Sequence, residues 1–364
     1  MQSDFGNFRI GRRKLLKGAI GLGAAQFVNP FLIGTGADAQ APPSADIATY
    51  LGPDREQRLL EGAKKEGALA IYTSATVADV AALTAAFQKK YQITPAVWRA
   101  SADDIVQRAV SEARGGRYEV DLFETNGPEV QALQRENLLQ QVKTPVAADL
   151  ASGAIAPHRQ WIGDRLQLWV QAYNTDAIKK TDLPKTWEDL LNPKWKGKLG
   201  IEATDIDWFE ATVTAMGEDR GLRLFREIVA RTGISVRKGH TLLTNLVVAG
   251  EVPLALTAYQ YKAEQLKDQG APLDWFVIPP QIGRFQGVGV ARHAPHPYAA
   301  VLFTDWLLTD GQSILAKRDF LPANVKVKPL PNVPLQFVDP ARFLDGRSKW
   351  EKLYDDIVVT PGSG

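Results

Sequence analysis

The most constraining feature of this chain is a regular alternation of strand-length apolar runs with segments of helical spacing. Ala68-Leu-Ala-Ile-Tyr-Thr73 is an apolar run of strand length, and Ala78 to Lys90 follows with Val80, Leu83 and Phe87 on one helical face. Thr94 to Trp98 and Val120 to Glu124 read as further strands. Ala102 to Ala113, closed by Gly115-Gly116, and Pro128 to Glu136 read as their helices. Three β-then-α units in a row predict an α/β layer with a mostly parallel sheet.

The theme repeats downstream. Leu166 to Tyr173, Lys198 to Glu202, Val252 to Tyr259, Asp274 to Ile278 and Val288 to Ala291 are strand-like. Asp54 to Glu66, Trp187 to Leu191, Trp208 to Arg231, Thr241 to Ala249, Tyr261 to Asp268 and Pro297 to Leu315 are helix-like. Two such halves, joined by extended segments near residues 166–173 and 274–280, predict two lobes around a cleft. Ligands in open α/β sheets lie beyond the carboxyl ends of the strands and at domain junctions.

The first 39 residues stand apart. They carry five Lys/Arg and two Asp, which leaves 38 basic and 39 acidic side chains for the rest. The body is therefore near neutral, with no basic face for nucleic acid or an anionic membrane. Arg12-Arg13-Lys14-Leu15-Leu16-Lys17, an apolar run broken by Asn29-Pro30, and Ala37-Asp38-Ala39 resemble a twin-arginine export signal cleaved before Gln40. A general secretory signal is the alternative. No stable membrane insertion is expected after cleavage. Cysteine is absent, which excludes disulfides, thiolate metal sites and a Cys nucleophile. The division expected is an export signal at 1–39, an Ala/Pro/Ser-rich linker at 40–50, a first lobe at 51–168 and a second at 169–278. Residues 279–364 then complete the first lobe and add a C-terminal helical segment.

Several segments resemble one family. Ile71-Tyr-Thr-Ser-Ala75, Ala172-Tyr-Asn-Thr175, Thr186-Trp-Glu-Asp-Leu-Leu-Asn-Pro-Lys-Trp-Lys-Gly-Lys198 and Gly250-Glu-Val-Pro-Leu-Ala255 resemble the periplasmic solute-binding proteins of ABC importers, in the ferric-ion-binding-like branch. The resemblance implies a type II two-lobed periplasmic-binding-protein fold. It implies a mostly parallel sheet in each lobe, two crossover strands as hinge, no catalysis, and docking onto an ABC permease in the inner membrane.

Candidate ligand residues lie just after strands. Ser74 and Thr76 offer hydroxyls at a helix N-terminus, or simply cap it. Arg99, with Ser101 behind it, offers a bidentate grip on a carboxylate or phosphate, or a surface ion pair with Asp103 or Asp104. Asn126 donates to a ligand or caps the next helix. Arg237, His240 and Thr241 form a second anion cradle from the other lobe, with Thr241 the natural cap. Glu202, Asp205 and Asp207 either cap a helix or bind a metal or an ammonium group. Tyr259 and Tyr261 share one face if the strand persists to 261.

In ferric-binding relatives two adjacent tyrosines at this point hold iron, helped by a histidine after the first strand. Here Gln260 separates the pair and Ala75-Thr76 stands in the histidine's place. The reading is a receptor for a small acidic or zwitterionic solute, with no cofactor. Ferric iron held by Tyr259 and Tyr261 with a synergistic anion is one alternative. An exported metal-dependent enzyme is another, although no Gly-x-x-x-x-Gly-Lys, His-Glu-x-x-His or Gly-x-Ser-x-Gly motif occurs.

Overall fold

The computed structural model describes residues 44–331 and 333–361, so the export signal expected at 1–39 lies outside the described residues. The chain opens with α1 (Ser44–Thr49) and α2 (Arg55–Glu66). Three β-then-α units follow: β1 (Leu69–Thr73) with α3 (Val77–Tyr91), β2 (Pro95–Arg99) with α4 (Ala102–Arg114), and β3 (Leu122–Asn126) with α5 (Gly127–Arg135). β1 lies between β2 and β3, parallel to both, and its burial on both faces explains its unbroken apolar run. Gly67 ends α2 in the left-handed region, φ 68°, where its backbone N–H caps Ala63.

β4 (Ile162–Asn174) then runs for 13 buried residues through both lobes. Its first part pairs with β9 (Gln281–Val290), defined below; its second pairs with the sheet of the other lobe. That lobe is built from β5 (Leu199–Glu202), α6 (Ile206–Met216), α7 (Glu218–Thr232), β6 (Ser235–Arg237), α8 (His240–Val248), β7 (Leu254–Tyr259), α9 (Gln260–Asp268) and β8 (Leu273–Phe276). The chain returns along β9, antiparallel to both β3 and β4. It finishes with α10 (Pro297–Leu307), α11 (Asp310–Ala316), β10 (Leu321–Pro322), β11 (Leu335–Phe337) and α12 (Pro340–Tyr354). The strand order is β2-β1-β3-β9-β4-β7-β5-β6, parallel within each outer part and antiparallel at the centre.

Two large apolar clusters fill the lobes. One gathers Leu69, Ile71, Phe87, Leu122, Phe303 and Trp306; the other gathers Trp187, Trp195, Trp208, Phe209, Phe225 and Leu256. α12 packs on the second cluster through Trp350 and Tyr354, with Ile282 of β9, although α10 and the later part of β9 belong to the first. Residues 279–364 therefore divide between the two cores.

Four expectations are corrected. The expected linker at 40–50 contains a helix, because Ile47 and Ala48 bury against the first core. The single helix expected over Trp208 to Arg231 is two helices, broken where Gly217 takes φ 86°. The one expected over Pro297 to Leu315 breaks at Thr309, which leaves helical geometry at φ −118° and ψ −95°. β9 begins at Gln281, seven residues ahead of the strand expected at Val288, because its first half is rich in Gln, Gly and Arg rather than apolar side chains.

Candidate functional site

The carboxyl ends of the parallel strands in both lobes converge on β4 and β9, and a buried polar network sits there. β4 slips register against β9 between Gly163 and Arg165. This slip breaks the alternation that sends adjacent side chains to opposite faces. Asp164 and Arg165 can therefore pair, at 2.5 Å. Arg165 also meets Glu124, in the middle of β3, at 2.8 Å, and its guanidinium lies 5.0 Å from the Phe320 ring centroid. The Thr73 hydroxyl donates to Glu124. Burial, with Glu124 adding to it, pushes the Asp164 carboxyl up to about 7 despite Arg165. Two carboxylates thus share one guanidinium. Close by, Asp79 in the first turn of α3 pairs with Arg318 at 2.6 Å.

The second lobe supplies a different wall. Arg284, on β9 opposite Gln167 of β4, pairs with Asp207 in the first turn of α6 at 2.5 Å and donates to the Tyr259 hydroxyl. Its guanidinium also lies 4.7 Å from the Trp169 ring centroid. Tyr259 closes β7 and stands in the N-cap position of α9. The strand therefore stops at Tyr259 and does not persist to 261. The two tyrosines are brought together instead by the helix start, with ring centroids 5.8 Å apart and planes 19° from parallel. Tyr261 stacks on Phe320 of the first lobe at 4.1 Å and packs against both large clusters, which ties the lobes across the cleft.

Burial raises the Tyr261 phenol, and Asp79 adds to the effect, to about 12 against Arg165 and Arg284. Burial raises Tyr259 well above 10 despite Arg284. His240 opens α8, with its ring centroid 3.8 Å from that of Tyr259 and Nε2 3.1 Å from Asp205 Oδ1. Burial works against its charge, but Asp205 and Glu202 outweigh burial and raise its pKa.

The other sequence candidates divide. Thr76 caps α3 and bonds Asp79; Ser101 caps α4 and bonds Asp104 at 2.6 Å. Ser74 accepts from Thr125 and Gln286, each at 3.1 Å, which knits β1, β3 and β9. Asn126 holds the N-cap position of α5 without a side-chain capping bond. Thr241 is exposed and does not cap α8; Gly239 does, at φ 106°, a backbone state open to glycine.

Arg99 is exposed, forms neither ion pair expected with Asp103 or Asp104, and donates Nε to the Ala75 carbonyl at 3.1 Å. Arg237 is half-buried and donates to the Val236 carbonyl. These two arginines end β2 and β6, the outermost strands of the order, and neither joins the central network. The buried arginines at the centre, Arg165 and Arg284, were missed by sequence reasoning. A charged residue inside a strand of otherwise buried side chains was the signal available.

Comparison with known proteins agrees with the fold. The family described as bacterial extracellular solute-binding protein matches residues 120–345, more than half of the chain. The chain is similar to Iron uptake protein A1 of Synechocystis sp., 24% identical over 236 residues, 60% of this chain and 65% of that protein, just under two thirds of its length. It is similar to the Fe(3+)-binding periplasmic protein of Serratia marcescens, 24% identical over 63% of this chain and 73% of that one.

Among solved structures, iron-bound HitA from Pseudomonas aeruginosa superposes with a TM-score of 0.70 at 22% identity, covering 80% of this chain and 99% of HitA. AfuA from Actinobacillus pleuropneumoniae, with exogenous fructose-6-phosphate bound, gives a TM-score of 0.70 at 19% identity, over 80% and 98%. At these identities the structures speak to the two-lobed fold alone. Among the described residues no helix is long and apolar enough to cross a membrane. On the family match the chain belongs to the bacterial extracellular solute-binding proteins, periplasmic receptors and not enzymes.

Proposed function

We propose that this chain is the receptor of a ferric-iron importer, which holds the ion between its lobes with Tyr259 and Tyr261 and delivers it to an ABC permease. One observation carries the reading: the cleft's guanidiniums already face carboxylates, and two phenols stand beside them. Arg165 faces Asp164 and Glu124, Arg284 faces Asp207, and Arg318 faces Asp79. Two phenols stand side by side. Hard anionic oxygens suit a hard trivalent cation. The iron named for the Synechocystis and Serratia relatives supports the same choice.

Both phenols are protonated at neutral pH, so ferric iron must displace their protons, and Arg284 beside Tyr259 eases that ionisation. Titration with ferric citrate is expected to give a visible tyrosinate charge-transfer band and to release protons. Tyr261→Phe is expected to weaken or abolish the band. A colourless protein that releases no protons at saturating ferric citrate contradicts the reading.

A second reading, a small acidic or zwitterionic solute, is favoured by two observations. Gln260 interrupts the tyrosine pair, and Arg99 stands free of an ion pair beside the strand-end loop of Ser74 and Ala75. Fructose-6-phosphate in AfuA is an example of such a ligand in this fold. A colourless protein whose melting temperature rises with a phosphorylated compound selects it.

A further inference from the structure

Next to the phenols, on the second lobe alone, three donor groups meet that the ferric reading does not use. Glu202 ends β5, Asp205 stands just before α6, and His240 opens α8; a ligand atom from each lies within 4.8 Å of the others. Two of these donors are already close to the spacing of a metal's ligands. His240 Nε2 and Asp205 Oδ1 are 3.1 Å apart. An ion bound at ordinary zinc distances sets neighbouring tetrahedral ligands about 3.4 Å apart.

The cluster also holds polar atoms that no described residue satisfies. Asp205 is 2% exposed, yet its Oδ2 has no hydrogen-bond partner, and His240 Nδ1 is likewise buried and unpartnered. A buried carboxylate oxygen left unpaired costs free energy unless a ligand completes it. The surroundings hold the donors in place. Trp169 Nε1 donates to Asp205 Oδ1 at 3.2 Å, and the Gly239 N–H donates to Glu202 Oε1 at 2.8 Å. The Thr204 hydroxyl and backbone N–H both donate to Glu202 Oε2. Such outer hydrogen bonds fix and orient metal-ligating carboxylates.

We infer that Glu202, Asp205 and His240 form a binding site for a divalent transition-metal ion of the zinc class, distinct from the phenols of Tyr259 and Tyr261. One imidazole and two carboxylates are a nitrogen–oxygen set that suits such an ion, and three protein ligands leave a coordination position open. The site needs no ferric ion, so its fate is separable from that of the ferric reading.

The test is calorimetric titration of the mature, chelator-treated protein with zinc chloride, paired with thermal melts in chelator to verify folding. One zinc ion per chain is expected. Asp205→Asn, His240→Gln and Glu202→Gln are each expected to weaken it by about 100-fold or more, beyond the loss that follows removal of an outer hydrogen-bond partner. Tyr261→Phe is expected to leave zinc affinity unchanged. Wild-type protein that takes up no zinc overturns the inference. So do folded variants that bind like wild type, or zinc binding abolished by Tyr261→Phe. Failure of the ferric band alone leaves the zinc result standing and sinks only the ferric reading.

Discussion

Arg165 and Arg284 lie on neighbouring strands, β4 and β9, at the junction of the lobes, and both are nearly inaccessible to solvent. Their partners differ. Arg165 sits between two carboxylates, Asp164 and Glu124, so its charge is more than balanced and one of the acids is driven toward its neutral form. Arg284 has one carboxylate, Asp207, and a neutral phenol, Tyr259. The first arginine holds the first lobe's strand ends together. The second places positive charge where a phenolate would form. Similar burial thus serves structure in one wall of the cleft and ligand chemistry in the other.

The comparison can be broken from the side of the larger effect. Arg165→Met leaves two buried carboxylates facing each other, and urea denaturation is expected to show a loss of about 3–5 kcal/mol. Arg284→Met uncovers a single carboxylate, with an expected loss of about 2–3 kcal/mol. It is also expected to weaken ferric colour, because Tyr259 loses the cation that eases its ionisation. Equal losses of stability with unchanged colour would erase the distinction.

Glu129, in the first turn of α5, sharpens the comparison through pH. Its carboxyl is buried and pushed up to about 7 by burial, against Arg284. The folded state therefore binds this proton more tightly than the unfolded chain does. The resulting stability is complete below about 4.5, the ordinary Glu value, and is lost as pH rises through about 7. Stability from urea denaturation is expected to fall between pH 5 and pH 8, by about 2–3 kcal/mol for this group. Glu129→Gln should flatten the slope, and an unchanged slope would assign the pH dependence to Asp164 instead. Tyr261→Phe should change stability least, by under about 1 kcal/mol, because the ring still stacks on Phe320.

Much of the fold was legible because parallel strands buried on both faces read as unbroken apolar runs. β1 and α3 were located within a residue or two at their ends. β9 was only partly legible, since Gln281 to Gln286 carries polar side chains whose burial depends on partners distant in sequence, Gln167 and Asp207 for Arg284. α12 was expected only as a C-terminal helical segment beside the first lobe, and its place on the second-lobe core went unread because the local sequence does not announce it.

At the site, Tyr259 and Tyr261 were singled out as the end of a strand, and His240 as part of a segment ahead of a helix. Thr76 was legible as a cap, the role the geometry gives it, whereas Ser101 was read only as part of an anion grip and turns out to cap α4. Arg99 was chosen because it follows a strand, and Arg237 because its segment precedes a helix start. A strand's place in the sheet order is set by tertiary pairing, and both ended up on its outermost strands.

The account's central claim is that the cleft offers two phenols to a cation, beside arginines that already face carboxylates. Melting temperature across a panel of ferric citrate, citrate alone, carboxylates, phosphorylated compounds and amino acids tests it most directly. A ligand at 100 times its dissociation constant adds about 2.7 kcal/mol, a rise of several degrees. The account expects that rise with ferric citrate, beyond any shift from citrate alone, and its loss on Tyr261→Phe. A comparable rise with an organic acid or phosphate, and none with ferric citrate, would contradict it.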